Sequence, residues 1–97
     1  MDTSLNLYLN EVRVMELHFF DNFNSPLKID GAFIDVFTTH GKEVVLNQPA
    51  LVMTNKVSTV IDEKITEKAN SYVIIWKLKV GQNIFVHRTA LLVRDLV

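Results

Sequence analysis

Residues 71–95 read SYVIIWKLKVGQNIFVHRTALLVRD, and they are the clearest indication of the fold in the sequence. Every second residue from Tyr72 to Val80 is apolar, and a second apolar run at residues 84–93 follows a short glycine-containing connection at residues 81–83. Successive side chains of a β-strand point to opposite faces, so two such runs joined by a short turn are typical of a β-hairpin. The sequence therefore predicts a long antiparallel hairpin near the C-terminal end.

The rest of the chain carries strand signals at a spacing of roughly 8–12 residues, which favours a β-sandwich or barrel over alternating strands and helices. The predicted strands lie at residues 13–20, 32–38, 43–46, 50–54 and 57–61. Residues 62–69 have helical charge spacing, but in so short a segment we expect a loop with at most one helical turn. Val12 and Val14 are apolar, but in a regular strand they would point to the face opposite to that of Met15. This pattern predicts a bulge or bend there.

Length, composition and charge exclude several classes of protein. The 97 residues make a single domain, 1–97, and 48% of them are hydrophobic, as in a folded core. Ten basic and eleven acidic residues give a net charge of −1, so the attraction that dominates nucleic-acid binding is missing. The absence of cysteine excludes a disulfide framework and a thiolate nucleophile. We expect no membrane span, because no apolar run approaches ~18 residues, and no export signal.

The residues that could carry chemistry are scattered. His18, His40 and His87 lie in three separate segments, without the close spacing of a metal site. The chain also lacks the nucleophile-elbow, phosphate-loop, dinucleotide and calcium-loop motifs. We therefore expect no catalytic, cofactor-binding or metal-binding residues and no enzymatic activity. A site formed by histidines that converge in space is the alternative that the sequence leaves open.

The N-terminal segment, residues 1–10, alternates apolar and polar residues. Leu5, Leu7 and Leu9 share one parity, which predicts an extended segment. This segment is either an edge strand of the domain itself or an arm that adds to a sheet of a neighbouring subunit. In the second case these leucines, with Leu96 at the other end, would contact the neighbour.

One predicted sheet is apolar on both faces. Val73 and Ile75 lie at the parity opposite to Trp76, and Phe33 and Phe37 lie at the outward parity of their own strand. A sandwich sheet normally has one apolar and one polar face, so something must cover the second face. The cover is either a bulge or loop of the chain itself or another protein. In the second case Phe33, Phe37, Val73 and Ile75 are interface residues.

The order of these segments resembles the small immunoglobulin-like β-sandwiches of tailed-phage virion proteins. The segments that carry the resemblance are residues 13–20, the turn Asn24-Ser25-Pro26, residues 33–37, the turn His40-Gly41-Lys42, residues 70–76 and residues 80–83. The resemblance implies an all-β fold, an immunoglobulin-like antiparallel β-sandwich of about seven strands. It also implies that Tyr72 is the tyrosine-corner residue and that Trp76 is the core aromatic between the sheets.

The resemblance further implies a non-enzymatic structural component of a phage virion, such as a head decoration protein, a neck or tail adaptor or a baseplate module. Its partners would be capsid, neck or tail subunits in a homo- or hetero-oligomer, and the protein would be made in the host cytoplasm and reside in the virion. The alternative is a carbohydrate- or host-protein-binding immunoglobulin-like module. A carbohydrate site would place Tyr8, Phe23 or Tyr72 with carboxylates in one exposed strip.

Overall fold

The C-terminal hairpin lies at the centre of the structure. In a computed structural model, which describes residues 3–95, β7 (Asn70–Val80) and β8 (Asn83–Arg94) pair antiparallel from the turn at Val80 to Asn70. Gly81 has φ +60, the left-handed conformation that a two-residue hairpin turn requires at its first position. The Asp30 carboxylate accepts a hydrogen bond from the Gly81 N–H at 2.7 Å and holds the turn in place. The predicted hairpin is therefore confirmed.

Six further strands and one helical turn precede the hairpin. They are β1 (Thr3–Tyr8), β2 (Arg13–His18), β3 (Gly31–Thr38), β4 (Glu43–Pro49), β5 (Leu51–Met53), β6 (Lys56–Ile61) and α1 (Glu63–Thr66). Within residues 3–95 the strands form a five-stranded sheet of order β1-β8-β7-β3-β4 and a three-stranded sheet of order β2-β6-β5. The predicted all-β sandwich is confirmed, with eight strands where about seven were expected. The β1–β8 pair is parallel, whereas the other strand pairs are antiparallel.

The core lies between the two sheets and is built by strand alternation. On β7 the residues from Tyr72 to Leu78 at even positions are buried, as the sequence pattern predicts. Trp76 is 0% exposed, and its indole N–H donates to the Thr89 hydroxyl at 3.0 Å. Other buried side chains of the same core cluster come from both sheets and from α1: Leu7, Met15, Ile34, Val36, Val57, Ile61, Ile65, Ile74, Leu91 and Val93.

The strand boundaries differ from the sequence expectation in two places. No bulge occurs at Val14, because β2 and β6 pair in continuous register and Val14 faces outward opposite Val60. Of the predicted bulge or bend, the bulge is therefore wrong, whereas the chain does bend just before β2, in a turn at Leu9 and Asn10 where Asn10 has φ +62. Register shifts lie instead between β3 and β4, on both sides of Val36, where Asn47 adopts φ +51. These irregularities let β4 continue to Pro49 rather than end before it.

The segment at residues 62–69 contains a single helical turn, α1, as expected. Asp62 caps it, because its carboxylate accepts a hydrogen bond from the Lys64 N–H at 3.0 Å. Thr66 is fully buried, and its hydroxyl donates to the Glu11 carbonyl at 2.8 Å, which joins α1 to the β1–β2 connection. No helix among residues 3–95 is long and apolar enough to cross a membrane.

Tyr72 closes the turn that enters β7. Its side chain is 4% exposed, and its hydroxyl donates to the Lys68 carbonyl at 2.9 Å, four residues upstream. This is the tyrosine-corner arrangement that the resemblance implied. Burial raises the pKa of the Tyr72 hydroxyl above its ordinary value of 10.0, and the Glu67 carboxylate raises it further.

The Tyr72 hydroxyl has a pH-dependent effect on stability. Because its pKa is raised in the folded state, its contribution is complete below the unfolded pKa of about 10 and is lost as the pH rises through the folded pKa. We expect Tyr72→Phe to lower the free energy of unfolding by about 1 kcal/mol near pH 7. We also expect this variant to lose less stability than the wild type between pH 9 and 11. Urea denaturation across that range measures both effects, and parallel curves for the two proteins would contradict them.

Candidate docking surface

The outer face of the five-stranded sheet brings together the four central residues that the sequence singled out. Phe37 lies opposite Val73, Asp35 opposite Ile75 and Phe33 opposite Lys77 in the β3–β7 register. Phe33 is 43% exposed, whereas Phe37, Val73 and Ile75 are half-buried beside their neighbours. We call Phe33, Phe37, Val73 and Ile75 the outer strip. Their common face confirms the parity on which the prediction rested.

The apolar face extends onto β8, which the sequence analysis did not assign to it. Lys77 pairs with Val86 and Val73 pairs with Ala90, so the even-numbered residues of β8 share the face of the outer strip. Ile84 is 61% exposed, Val86 62% and Leu92 37%. The period-two pattern of β8 contains this information, but both of its parities are apolar at residues 84–86, so the pattern does not say which side faces out.

The exposed residues of this face are not covered by other segments of the described chain. Phe33, Ile84, Val86 and Leu92 all keep more than a third of their surface accessible, so no segment of residues 3–95 lies over them. A shallow depression of about 360 Å³ lies nearby, and its lining includes Ser4, Ser71, Val73, Ala90 and Leu92. The face is thus apolar, open and shaped, with room for side chains of another molecule.

A neutralised polar cluster lies in the middle of the face. Lys77 Nζ is 3.1 Å from Asp35 Oδ2 and also donates to the side-chain oxygen of Asn47. The Asn47 backbone N–H donates to Asp35 Oδ1 at 2.7 Å, which the left-handed conformation of Asn47 permits. Since the charges are already paired, a protein that covers this face has no need to supply a counter-charge here.

Comparison with known proteins identifies the fold. No family model matches the chain, and no curated protein matches it. Among solved structures, a chimeric titin Z1Z2 functionalized with a KLER exogenous peptide from decorin aligns with a TM-score of 0.51 at 12% identity, over 97% of this chain and 87% of that chain. The fold is an immunoglobulin-like β-sandwich. At this identity the likeness concerns the fold alone.

The N-terminal leucines pack inside their own immunoglobulin-like sandwich, whereas an arm would place them against a neighbouring subunit. Leu7 is 1% exposed and lies in the protein's own core, and Leu5 and Leu9 pack against that core. β1 pairs with β8 of the same chain. Of the two alternatives, the segment is therefore an edge strand of the domain itself. The prediction that Leu7 contacts a neighbouring subunit is therefore wrong, because its side chain is already buried. Leu96 lies outside the described residues.

The histidines do not converge in the immunoglobulin-like sandwich. Within residues 3–95, no group of three histidine, aspartate or glutamate side chains is arranged to hold a metal ion. His18 lies on β2 opposite Lys56, and His40 lies in the β3–β4 turn. His87 lies on β8, where its ring meets the edge of Phe19 at 5.6 Å between centroids. The three histidines therefore lie in separate elements and do not form a metal-binding cluster in the part of the chain that the structure describes.

The aromatic residues of the carbohydrate alternative do not form one strip. Tyr72 is buried, and Tyr8 lies at one end of the immunoglobulin-like sandwich, opposite Arg94. Phe23 lies near the other end of β8, because its neighbour in the sequence, Asn22, lines the same cleft as Phe85. Nine residues along a strand separate these ends by roughly 30 Å. Burial excludes Tyr72 from an exposed strip, and Tyr8 and Phe23 do not share one strip; a sugar site built on Tyr8 or on Phe23 alone stays a prediction.

Proposed function

We propose that this protein is a non-enzymatic docking module of a tailed-phage virion, which attaches to a neighbouring capsid or tail subunit through the outer strip. The observation that carries the proposal is the open apolar face on the five-stranded sheet. Contiguous exposed apolar surface of this kind marks interaction sites, because water is a poor solvent for it. The virion context is supported by the resemblance of the sequence to virion sandwiches.

The face is large enough for a specific interface. Five strands spaced ~4.8 Å apart give a width of about 24 Å, and residues 71–79 of β7 span about 30 Å. The face therefore offers on the order of 700 Å², close to the ~800 Å² that each partner contributes to a standard stable interface. Repetition of such a contact around a symmetric particle increases the overall affinity by avidity.

The charges around the outer strip favour a partner with an acidic rim. Lys79, Arg88 and Arg94 lie at the outward parity of β7 and β8 and are exposed. Glu43, opposite Phe37, is the acidic residue at the edge of this face, and the charge of Asp35 is paired with Lys77. Two copies placed face to face would bring these basic rims together, so a second protein with carboxylates around an apolar patch fits better.

The experiment asks whether the chain is part of the particle. We expect the wild-type protein to co-sediment with purified virus particles whose genome carries its gene. We expect Val73→Lys combined with Ile75→Lys to reduce its copy number per particle more than tenfold, because two charges then enter the apolar contact. Quantitative mass spectrometry of gradient-purified particles measures the copy number.

A matched control is available on the opposite sheet. Val14 and Val60 are a cross-strand pair on the outer face of the three-stranded sheet, 59% and 45% exposed. Val14→Lys combined with Val60→Lys adds the same two charges, and we expect it to leave the copy number unchanged. Absence of the wild-type protein from purified particles would overturn the virion proposal in favour of a module that binds a host protein. An equal effect of both lysine pairs would overturn the role of the outer strip.

A further inference from the structure

The edge of the five-stranded sheet is uncovered at the beginning of β8. β1 pairs with Thr89 to Arg94 and so covers only the second half of β8. Within the described range 3–95, no strand lies beside residues 83–86 on the side away from β7. An exposed strand edge of this kind is a template for pairing with another strand.

The backbone direction at this edge follows from neighbouring hydrogen bonds. The Arg94 carbonyl accepts from the Leu9 N–H at 2.9 Å, so even-numbered residues of β8 turn their polar backbone groups toward the β1 side. Ile84 and Val86 share that parity. Their N–H and C=O groups therefore point away from β7 and into the uncovered side.

This edge lacks the features that protect other edges of the sandwich. The β4 edge carries Pro49 and a left-handed Asn47, and the β5 edge is only three residues long. The β8 edge instead presents Ile84, Phe85 and Val86, which are 61%, 49% and 62% exposed and carry no charge. Proline and bulges are among the usual means of preventing edge pairing, and residues 84–86 contain neither; the nearest charges are Asp21, which lines the neighbouring cleft, and Arg88.

We propose that two copies of this chain pair through these edges, antiparallel and about a two-fold axis at Phe85. In this register Phe85 lies opposite Phe85 of the partner subunit, and Ile84 lies opposite Val86 of the partner subunit. Ile84 and Val86 then exchange backbone hydrogen bonds across the interface. Every pair at the centre joins two apolar side chains, and Arg88 does not face its own counterpart, so the edge is complementary to itself.

An aromatic cleft beside the edge extends this contact. Phe85 points toward the inner side of the sheet, because it pairs with the buried Leu78. There it lines a cleft of about 370 Å³ with Phe19, Phe20 and Leu27. Phe20 is 56% exposed. Pairing of the edges brings the second Phe85 to the mouth of this cleft, where aromatic side chains gain contact area.

The size of the contact sets the expected affinity. Phe20, Phe85 and the two aliphatic residues expose on the order of 400–500 Å² of side chain per copy. Even if all of this area were buried, the contact would lie at the small end of specific interfaces, so we expect a weak dimer that forms only at high protein concentration. The pairing does not use the four residues of the outer strip, although Ile84 and Val86 lie on the same face of the sheet. It places the outer strips of both copies on the same side of one continuous sheet. Such a dimer can dock to a particle at two points.

Sedimentation velocity between about 1 and 300 µM tests the pairing, with the protein itself as the probe. We expect the wild type to change from monomer to dimer across this range. We expect Val86→Pro to raise the dissociation constant more than tenfold, because proline removes an edge N–H and leaves the β7 ladder intact. Val73→Lys combined with Ile75→Lys serves as the control, and we expect it to dimerise like the wild type.

A second variant keeps the test decisive if the proline variant does not fold. Ile84→Lys combined with Val86→Lys places lysines directly opposite lysines in the proposed register, and we expect it to stay monomeric. A wild type that is monomeric at every concentration would overturn the proposal. So would a folded Val86→Pro or double-lysine variant that still dimerises, or loss of the dimer in the outer-strip variant. Particle binding is measured separately, so failure of the edge pairing does not affect the docking proposal.

Discussion

Trp76→Ala is expected to lower the free energy of unfolding by about 3–5 kcal/mol. Trp76 is fully buried at the centre of the hairpin, and alanine would leave a cavity between the two sheets. The change also removes the indole N–H that donates to Thr89. A domain of this size has a net stability of roughly 5–15 kcal/mol, so a wild type at the low end of this range would leave the variant close to unfolding at room temperature.

Urea denaturation followed by circular dichroism measures this effect, since the variant lacks the tryptophan that fluorescence would report. Trp76→Phe is the matched control, because it keeps most of the buried volume but removes the N–H donor. The Thr89 hydroxyl retains its contact with the Thr3 hydroxyl at 2.6 Å. We therefore expect Trp76→Phe to cost about 1–3 kcal/mol. A loss below about 1 kcal/mol in Trp76→Ala would contradict the central place of this residue.

The second large effect concerns neighbouring residues of β7 that differ only in parity. Ile74 is 0% exposed between the sheets, whereas Val73 and Ile75 lie on the outer face. A lysine at position 74 buries an unpaired charge, which costs several kcal/mol. We expect Ile74→Lys to abolish folding at room temperature. Two lysines at positions 73 and 75 extend into solvent, so we expect the monomer to stay folded.

The hairpin and the sides of β3 and β7 could be predicted because local pattern determines them. The alternation from Tyr72 to Val80 assigns each side chain to one of two faces, and the structure uses both faces as the pattern requires. The outer strip follows from the same parity on two strands. Its assembly into one surface also needed the pairing of β3 with β7, which the alternation alone does not contain.

The features that the sequence analysis missed depend on long-range pairing. The alternation of residues 5–9 predicts that Leu7 is buried. Only the pairing of β1 with β8 shows that Leu7 is buried in the core of its own chain and not against a neighbouring subunit. Likewise, only the pairing of Thr3 with Thr89 shows that the described part of β1 does not lie beside Ile84 and Val86. Period-two spacing shows which residues share a face, but it does not show which strand lies at an edge or where its neighbour stops.

The measurement that tests the outer strip most directly is the unfolding free energy of Val73→Lys combined with Ile75→Lys, determined by urea denaturation beside Ile74→Lys. If the outer strip is a surface, the double variant unfolds cooperatively with a free energy about 1–3 kcal/mol below that of the wild type, because two half-buried apolar side chains are replaced, while Ile74→Lys has no folded baseline. A double variant that is itself unfolded would place both side chains in the core. The docking surface would then not exist.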